Sequence, residues 1–110
     1  MNTLSKIRDF YAEVNRFGEE FEREYHLSLT EGILLSTLKQ DKKLSLVDLS
    51  KKICLTCSNS ARILKSLADR NLVERTIDKK EKNPIFFSLT KEGEEKIDSV
   101  KLVNIPLILR

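Results

Sequence analysis

The sequence predicts a mainly α-helical fold carrying one small β-hairpin, and three observations support that expectation. Apolar residues recur at three- and four-residue steps through much of the chain, the spacing that lays a single stripe along a helix. Hydroxyl-bearing residues stand just before several of these stripes, where they can accept from the free N–H groups of a first helical turn. After residue 71 the period changes to two short β-rich runs around a charged tip, as a pair of antiparallel strands requires.

Residues 3–25 read as one long helix. Leu4, Ile7, Tyr11, Val14, Phe21 and Tyr25 follow alternating three- and four-residue steps, with Gly18 at the missing position and Phe10 and Phe17 widening the stripe. Such a seam over three heptads buries itself against another helix. Arg8, Glu13, Arg16, Glu20 and Arg23 face water. Ser28-Leu-Thr-Glu31 matches a capping box and opens a second helix through about Lys39. Asp41-Lys-Lys43 is a polar turn. Ser45 opens a short helix to Ile53 with Leu46, Leu49 and Ile53 inward. After Cys54-Leu55, Thr56 caps a helix to about Arg70 whose buried face is Ile63, Leu64 and Leu67, and Asn71 suits a left-handed C-cap. Leu72–Ile77 and Ile85–Leu89 are the strands, and Asp78–Asn83 is the tip. Thr90 caps a last helix from Lys91 to about Val103, followed by the apolar tail Leu102–Leu109, which Pro106 interrupts. A soluble monomer rarely exposes such a tail. The organisation expected is a dimerisation helix over 1–27, a winged helix-turn-helix over 28–90 and a short helix with tail over 91–110, within one compact domain.

At 110 residues, 40% hydrophobic and 34% charged, the chain has the length of one domain and excludes a large enzyme with a deep nucleotide-binding cleft. No apolar run approaches the ~20 residues that span a bilayer, and charge from Lys6 onward argues against a secretory signal. Two cysteines and no export signal predict a cytoplasmic protein. The net charge of +3 is unevenly spread: residues 1–38 carry −3, residues 39–82 carry +6 and the remainder is neutral. A basic central segment fits a polyanion, because neutralised phosphates release counterions.

Two short helices joined by a tight turn and followed by a charged hairpin describe a winged helix-turn-helix, with Thr56–Arg70 placed to enter a major groove. Its first turns carry small or hydrogen-bonding side chains from Cys57 to Arg62, with Lys65 one turn further along. Ser58, Asn59, Arg62 and Lys65 are the candidates to face bases, since Asn pairs with adenine edges and Arg with guanine. Lys51 and Thr56, and the wing residues Lys79, Lys80 and Lys82, are candidates for phosphate or minor-groove contact.

These features resemble the multiple-antibiotic-resistance regulator (MarR) family of bacterial transcription factors over about residues 27–98. The resemblance rests on Leu29-Thr30, on Arg62-Ile-Leu-Lys-Ser-Leu67 leading into Leu72-Val-Glu-Arg75, on Asp78–Lys82 at the wing and on Ser88-Leu-Thr-Lys-Glu-Gly93. It implies a homodimer on a pseudo-palindromic double-stranded DNA operator, one recognition helix per half-site, often repressing and released by a small-molecule effector or an oxidant. Where the family's wing usually carries Asp and Arg, this chain has Glu81 and Lys82, and Lys lacks the planar fork of Arg. The family dimerises through its first helix and long C-terminal helices. Only 20 residues follow Thr90 here, so the stripe over 4–25 and the tail Leu102–Leu109 are expected to interleave instead.

Cys54-Leu-Thr-Cys57 is a CxxC motif. Zinc needs four ligands, and with no second CxxC only His26 and acidic residues could complete the set, so no metal and no cofactor are expected. A redox pair remains open, Cys57 being placed at a helix start for thiolate chemistry. So does a structural role, with Cys54 a buried small residue packing the turn and Cys57 an exposed one. His26 reads as a packing or capping residue. Phe10, Tyr11 and Phe17 read as core more than as an effector pocket. There is no Gly-rich phosphate loop and no nucleophile–base arrangement, so no catalytic residue is assigned. The alternative to a DNA-binding regulator is a winged helix used purely for protein–protein interaction, whose exposed helix would be apolar or acidic instead of polar and basic.

Overall fold

The structure, a computed structural model, describes residues 2–101. In order they form α1 (Thr3–Tyr25), α2 (Leu29–Asp41), β1 (Lys43–Ser45), α3 (Leu46–Ile53), α4 (Cys57–Asp69), β2 (Val73–Ile77), β3 (Ile85–Leu89) and α5 (Lys91–Asp98). The class is the expected one, mainly helical with a small sheet. The tail Leu102–Leu109 lies outside the described residues. Thr30–Ser99 forms one compact unit, and residues 2–29 group with Val100 and Lys101 in another.

In the α1 unit the helix starts at Asn2, whose side-chain carbonyl accepts from the Ser5 N–H at 2.8 Å. It ends at His26, which takes the left-handed conformation (φ 57°) and donates its backbone N–H to Glu22 O. His26 is therefore a capping residue, as read from the sequence. Towards this end the aromatic stripe is covered: Phe21 is buried, with ring centroids 6.2 Å from Phe17 and 5.0 Å from Tyr25. The Tyr25 hydroxyl donates to Lys101 O and accepts from its N–H, both at 3.1 Å. Towards the N-terminus the same stripe is open, with Leu4 76%, Ile7 43%, Phe10 43% and Tyr11 65% exposed.

The second unit closes over Leu34, Leu35 and Leu38 of α2, Leu49 of α3, Leu64 and Leu67 of α4, Val73 of β2 and Phe87 of β3, all buried. Three N-caps fall where the hydroxyl residues predict. Ser45 accepts from Asp48 N–H at 3.0 Å, Thr56 from Asn59 N–H at 3.1 Å and Thr90 from Gly93 N–H at 2.9 Å.

Two elements differ from expectation. Lys43 is not in a turn: with Leu44 and Ser45 it forms β1, which pairs antiparallel with β3 through Lys43↔Ser88, Leu44↔Phe87 and Ser45↔Phe86. The sheet order is therefore β1-β3-β2. Three residues carry too little periodicity to announce a strand, and β3 supplies the hydrogen bonds that make one. The last helix stops at Asp98, where the Ser99 hydroxyl donates to Lys96 O at 2.6 Å and closes the final turn. Val100 is half-buried outside the helix.

The start of α5 locks onto the strand before the wing. Besides capping, the Thr90 hydroxyl donates to Asn71 O at 2.7 Å, and the Thr90 N–H donates to Leu72 O at 3.2 Å. Gly93 lies so close that an added β-carbon would stand 2.0 Å from Leu72 O. Glycine is needed there for proximity alone.

Inside α4, Ser60 is fully buried and its hydroxyl has no hydrogen-bond partner. A buried unsatisfied hydroxyl costs about 1–3 kcal/mol, and alanine is the better helix former. Ser60→Ala is expected to stabilise the protein by about 1 kcal/mol, read as a higher urea midpoint at unchanged m-value. A midpoint that fell would show that the hydroxyl contributes to the fold.

Candidate nucleic-acid interface

α3, the segment Cys54–Thr56 and α4 form a helix-turn-helix. The turn is set by two bonds that end α3: Cys54 N–H to Lys51 O at 3.3 Å and Leu55 N–H to Ser50 O at 3.0 Å. This paired pattern reverses the chain around a left-handed residue, and Cys54 is that residue (φ 60°). Thr56 then resumes an extended conformation and caps α4.

Packing decides which face of α4 is free. Ser60, Leu64 and Leu67 are buried at four- and three-residue steps, which turns Ser58, Arg62 and Lys65 to the opposite side. All three are exposed, as is Asn59 on the flank. Asp69 continues the exposed row beyond Lys65, so the part of the helix suited to a polyanion is its N-terminal two-thirds. Thr56 is exposed, but its oxygen is engaged as the cap. What it has left for a phosphate is its hydroxyl proton.

The wing is β2, β3 and the tip between them. Asp78 folds the tip, its carboxylate accepting from Lys80 N–H at 3.1 Å and its carbonyl from Glu81 N–H at 3.1 Å. Across the base of the tip, Asp78 N–H donates to Pro84 O at 2.8 Å. With the aspartate turned inward, Lys79, Lys80 and Lys82 are all exposed, together with Glu81.

Ion pairing sorts the cations of the basic segment. Lys39 pairs with Asp98 at 3.3 Å and Glu94 at 3.8 Å, Lys52 with Asp41 at 2.8 Å and Arg70 with Glu31 at 3.8 Å. Lys51, Arg62, Lys65, Arg75, Lys79, Lys80 and Lys82 have no carboxylate within 4.0 Å among the described residues. The neutralised cations are thus Lys39 on α2, Lys52 on α3 and Arg70 at the end of α4, while Lys51, the outward row of α4 and the wing keep theirs unneutralised.

Arg75 was not singled out by sequence reasoning. It stands exposed on β2 opposite Phe87. With Lys65 it borders a cleft of about 370 Å³ between α4 and the sheet, with Leu46, Leu64, Ile85 and Phe87 also in its walls. The alternation of Glu74, Arg75 and Thr76 was the available signal, but which face of β2 meets α4 depends on the packing. Lys43, also missed, lies 4.9 Å above the Phe86 ring.

Cys54 and Cys57 are free and both exposed. Cys54 is therefore not a buried residue packing the turn: the left-handed backbone directs it to solvent while Leu55, half-buried, takes the inner position. Among the described residues no group of three or more His, Cys, Asp or Glu is placed to hold a metal, and no helix is long and apolar enough to cross a membrane.

Comparison with known proteins agrees with this geometry. The sequence profile of the MarR family matches residues 27–82. The HTH-type transcriptional regulator SarZ of Staphylococcus aureus (strain USA300) is 31% identical over 72 residues, 66% of this chain and 49% of the relative. SarZ of Staphylococcus epidermidis is 29% identical over 76 residues, 69% of this chain and 51% of the relative. The chain thus spans about half the length of the curated relatives it matches. Among solved structures, the reduced form of E. coli MarR superimposes with a TM-score of 0.77 at 18% identity, covering 89% of this chain and 72% of that one. A mutant E. coli MarR complexed with operator DNA gives 0.71 at 18% identity, covering 89% and 75%.

Proposed function

The chain belongs to the MarR family, and from that premise we propose that it is a non-enzymatic, sequence-specific DNA-binding transcriptional regulator acting as a homodimer on a pseudo-palindromic operator. The observation that carries the reading is the sorting of charge. Lys39, Lys52 and Arg70 are spent on internal carboxylates, while Lys51 of α3, Arg62 and Lys65 of α4 and the wing lysines, all exposed, are left for an external polyanion. The relative that was solved on operator DNA shares this fold.

In this reading α4 lies in a major groove with Ser58, Asn59, Arg62 and Lys65 toward base edges. Lys51 and Thr56 hold the backbone, and Lys79, Lys80 and Lys82 reach the flanking phosphates or minor groove. The open half of the α1 stripe supplies the dimer contact, because Leu4, Ile7, Phe10 and Tyr11 form a row whose exposure a second copy would remove. Occupying the operator represses transcription, and a small ligand or an oxidant releases it.

The test joins two measurements. Light scattering at micromolar protein is expected to give twice the mass of one chain. Selection from a random duplex library at physiological salt is expected to enrich an inverted repeat with half-sites about one helical turn apart. A monomer by scattering would remove the dimer, and a selection that enriched no sequence would remove specific DNA binding.

A further inference from the structure

We propose that Cys54 and Cys57 form a dithiol–disulfide switch that unseats the first turn of α4 when it is oxidised by a peroxide. The inference rests on the DNA-binding reading for its consequence, but its structural core stands on the geometry of the turn. Two thiols, both free and exposed, bracket the residue that caps the recognition helix.

The reduced turn and a disulfide demand different backbones. Thr56 is extended (φ −70°, ψ 157°), and no backbone hydrogen bond draws Cys57 back onto Cys54. Extended chain advances ~3.3–3.6 Å per residue, so three such steps separate Cα atoms by up to about 10 Å. A disulfide holds its Cα atoms at about 4.4–6.8 Å. Leu55 and Thr56 lie in neither a turn nor a bend, so closing the bond draws Cys57 back toward Cys54 at the expense of the extended Thr56 backbone. Thr56 can then no longer present its hydroxyl to Asn59 N–H, a bond of 3.1 Å in the structure. Loss of that cap frees the turn that carries Ser58 and Asn59, the outermost of the base-facing residues. The setting suits the chemistry too: Lys51 on α3 and Arg62 and Lys65 on α4 are exposed and have no carboxylate within 4.0 Å among the described residues, whereas Lys52 is paired with Asp41. Exposed thiols in electropositive surroundings are the ones that meet peroxides productively.

The chemistry balances with hydrogen peroxide as the oxidant. The Cys57 sulfur attacks one peroxide oxygen, an S–O bond forms, the O–O bond breaks, and the departing hydroxide leaves as water with the thiol proton. The sulfur of Cys54 then attacks that of the Cys57 sulfenic acid. The S–O bond breaks, the S–S bond forms, and a second water leaves with the Cys54 proton. Two thiols and one peroxide give one disulfide and two waters, with two electrons passing from sulfur to peroxide.

The experiment uses the full chain, reduced or treated with hydrogen peroxide, and a duplex selected by the reduced protein. Intact mass should fall by two hydrogens, amide hydrogen exchange should accelerate at Ser58–Ala61, and affinity for the duplex should fall about tenfold or more, the order expected for one lost helix cap. Dithiothreitol should reverse all three. Cys54→Ser should bind the duplex as the reduced wild type does and lose neither affinity nor exchange protection with peroxide. Oxidised protein with an intramolecular disulfide and unchanged exchange at Ser58–Ala61 would overturn the proposal. So would loss of binding in peroxide-treated Cys54→Ser, or oxygen addition without the loss of two hydrogens. Failure to select any duplex would instead strike the DNA-binding reading, leaving mass and exchange to decide the switch.

Discussion

Gly93→Ala is expected to lower stability by roughly 3 kcal/mol, the upper range for forcing an atom into a filled site. The added β-carbon would stand 2.0 Å from Leu72 O and 3.0 Å from Leu72 C, and backbone cannot swing aside as a side chain can. Either the first turn of α5 lifts or the start of β2 shifts, and both strain the Thr90 hydroxyl's bonds to Asn71 O and Gly93 N–H. The gain in helix propensity from Gly to Ala, about 1 kcal/mol, is too small to offset this. Gly18→Ala makes the internal control. Its β-carbon would meet Leu29 Cβ at 3.7 Å, an ordinary contact, so propensity wins and the variant should gain up to about 1 kcal/mol. Thermal unfolding followed by circular dichroism separates the two, since each kcal/mol moves the midpoint by about 4–8 °C in a domain near this size. A Gly93→Ala midpoint equal to that of the wild type would mean that the helix–strand junction is looser than the structure shows.

On DNA, the largest contrast is expected between Arg62→Ala and the triple variant Lys79→Gln, Lys80→Gln, Lys82→Gln. Arg62 is exposed in the middle of the outward row, where a bidentate contact to guanine discriminates by about 1–3 kcal/mol. Its removal should flatten preference at one base pair per half-site. The wing lysines, exposed at the tip, act as point charges near phosphates. Removing three should leave sequence preference intact and make the slope of log K against log salt shallower by up to about 2.7 per protomer. Competition binding against single-base variants of the selected duplex, repeated at three salt concentrations, reads both quantities. If the two variants lost affinity alike on every sequence with the same salt slope, the division between α4 and the wing would be wrong.

The expectations that held share a local cause. Ser45, Thr56 and Thr90 announce helix starts because a short hydroxyl side chain reaches the N–H three residues on, and nothing distant is needed for that. Asn71 ends α4 in the left-handed region (φ 62°) as its side chain predicts, and the period of residues 3–25 gives α1 its helix. The expectations that failed involve partners far along the chain. β1 exists because β3 pairs with it across some forty residues. Nothing in Lys43-Leu-Ser45 distinguishes it from a turn. Arg75 escaped notice because its position beside Lys65 at the α4 cleft joins two elements that the sequence lists separately.

Charge shows the same division most clearly. The sequence by itself determined the helical class, the caps, the helix-turn-helix followed by a wing and the excess of cations over residues 39–82, since each follows from spacing, short-range hydrogen bonding or composition. Only the tertiary structure decided which of those cations are available. Lys39, Lys52 and Arg70 meet carboxylates from other elements, while Arg62, Lys65 and the wing lysines meet none among the described residues. An ion pair forms where packing brings opposite charges within a few ångströms, because attraction falls with distance and is screened by water and salt. Such proximity between residues far apart in the chain is a property of the folded state, not of the order of residues.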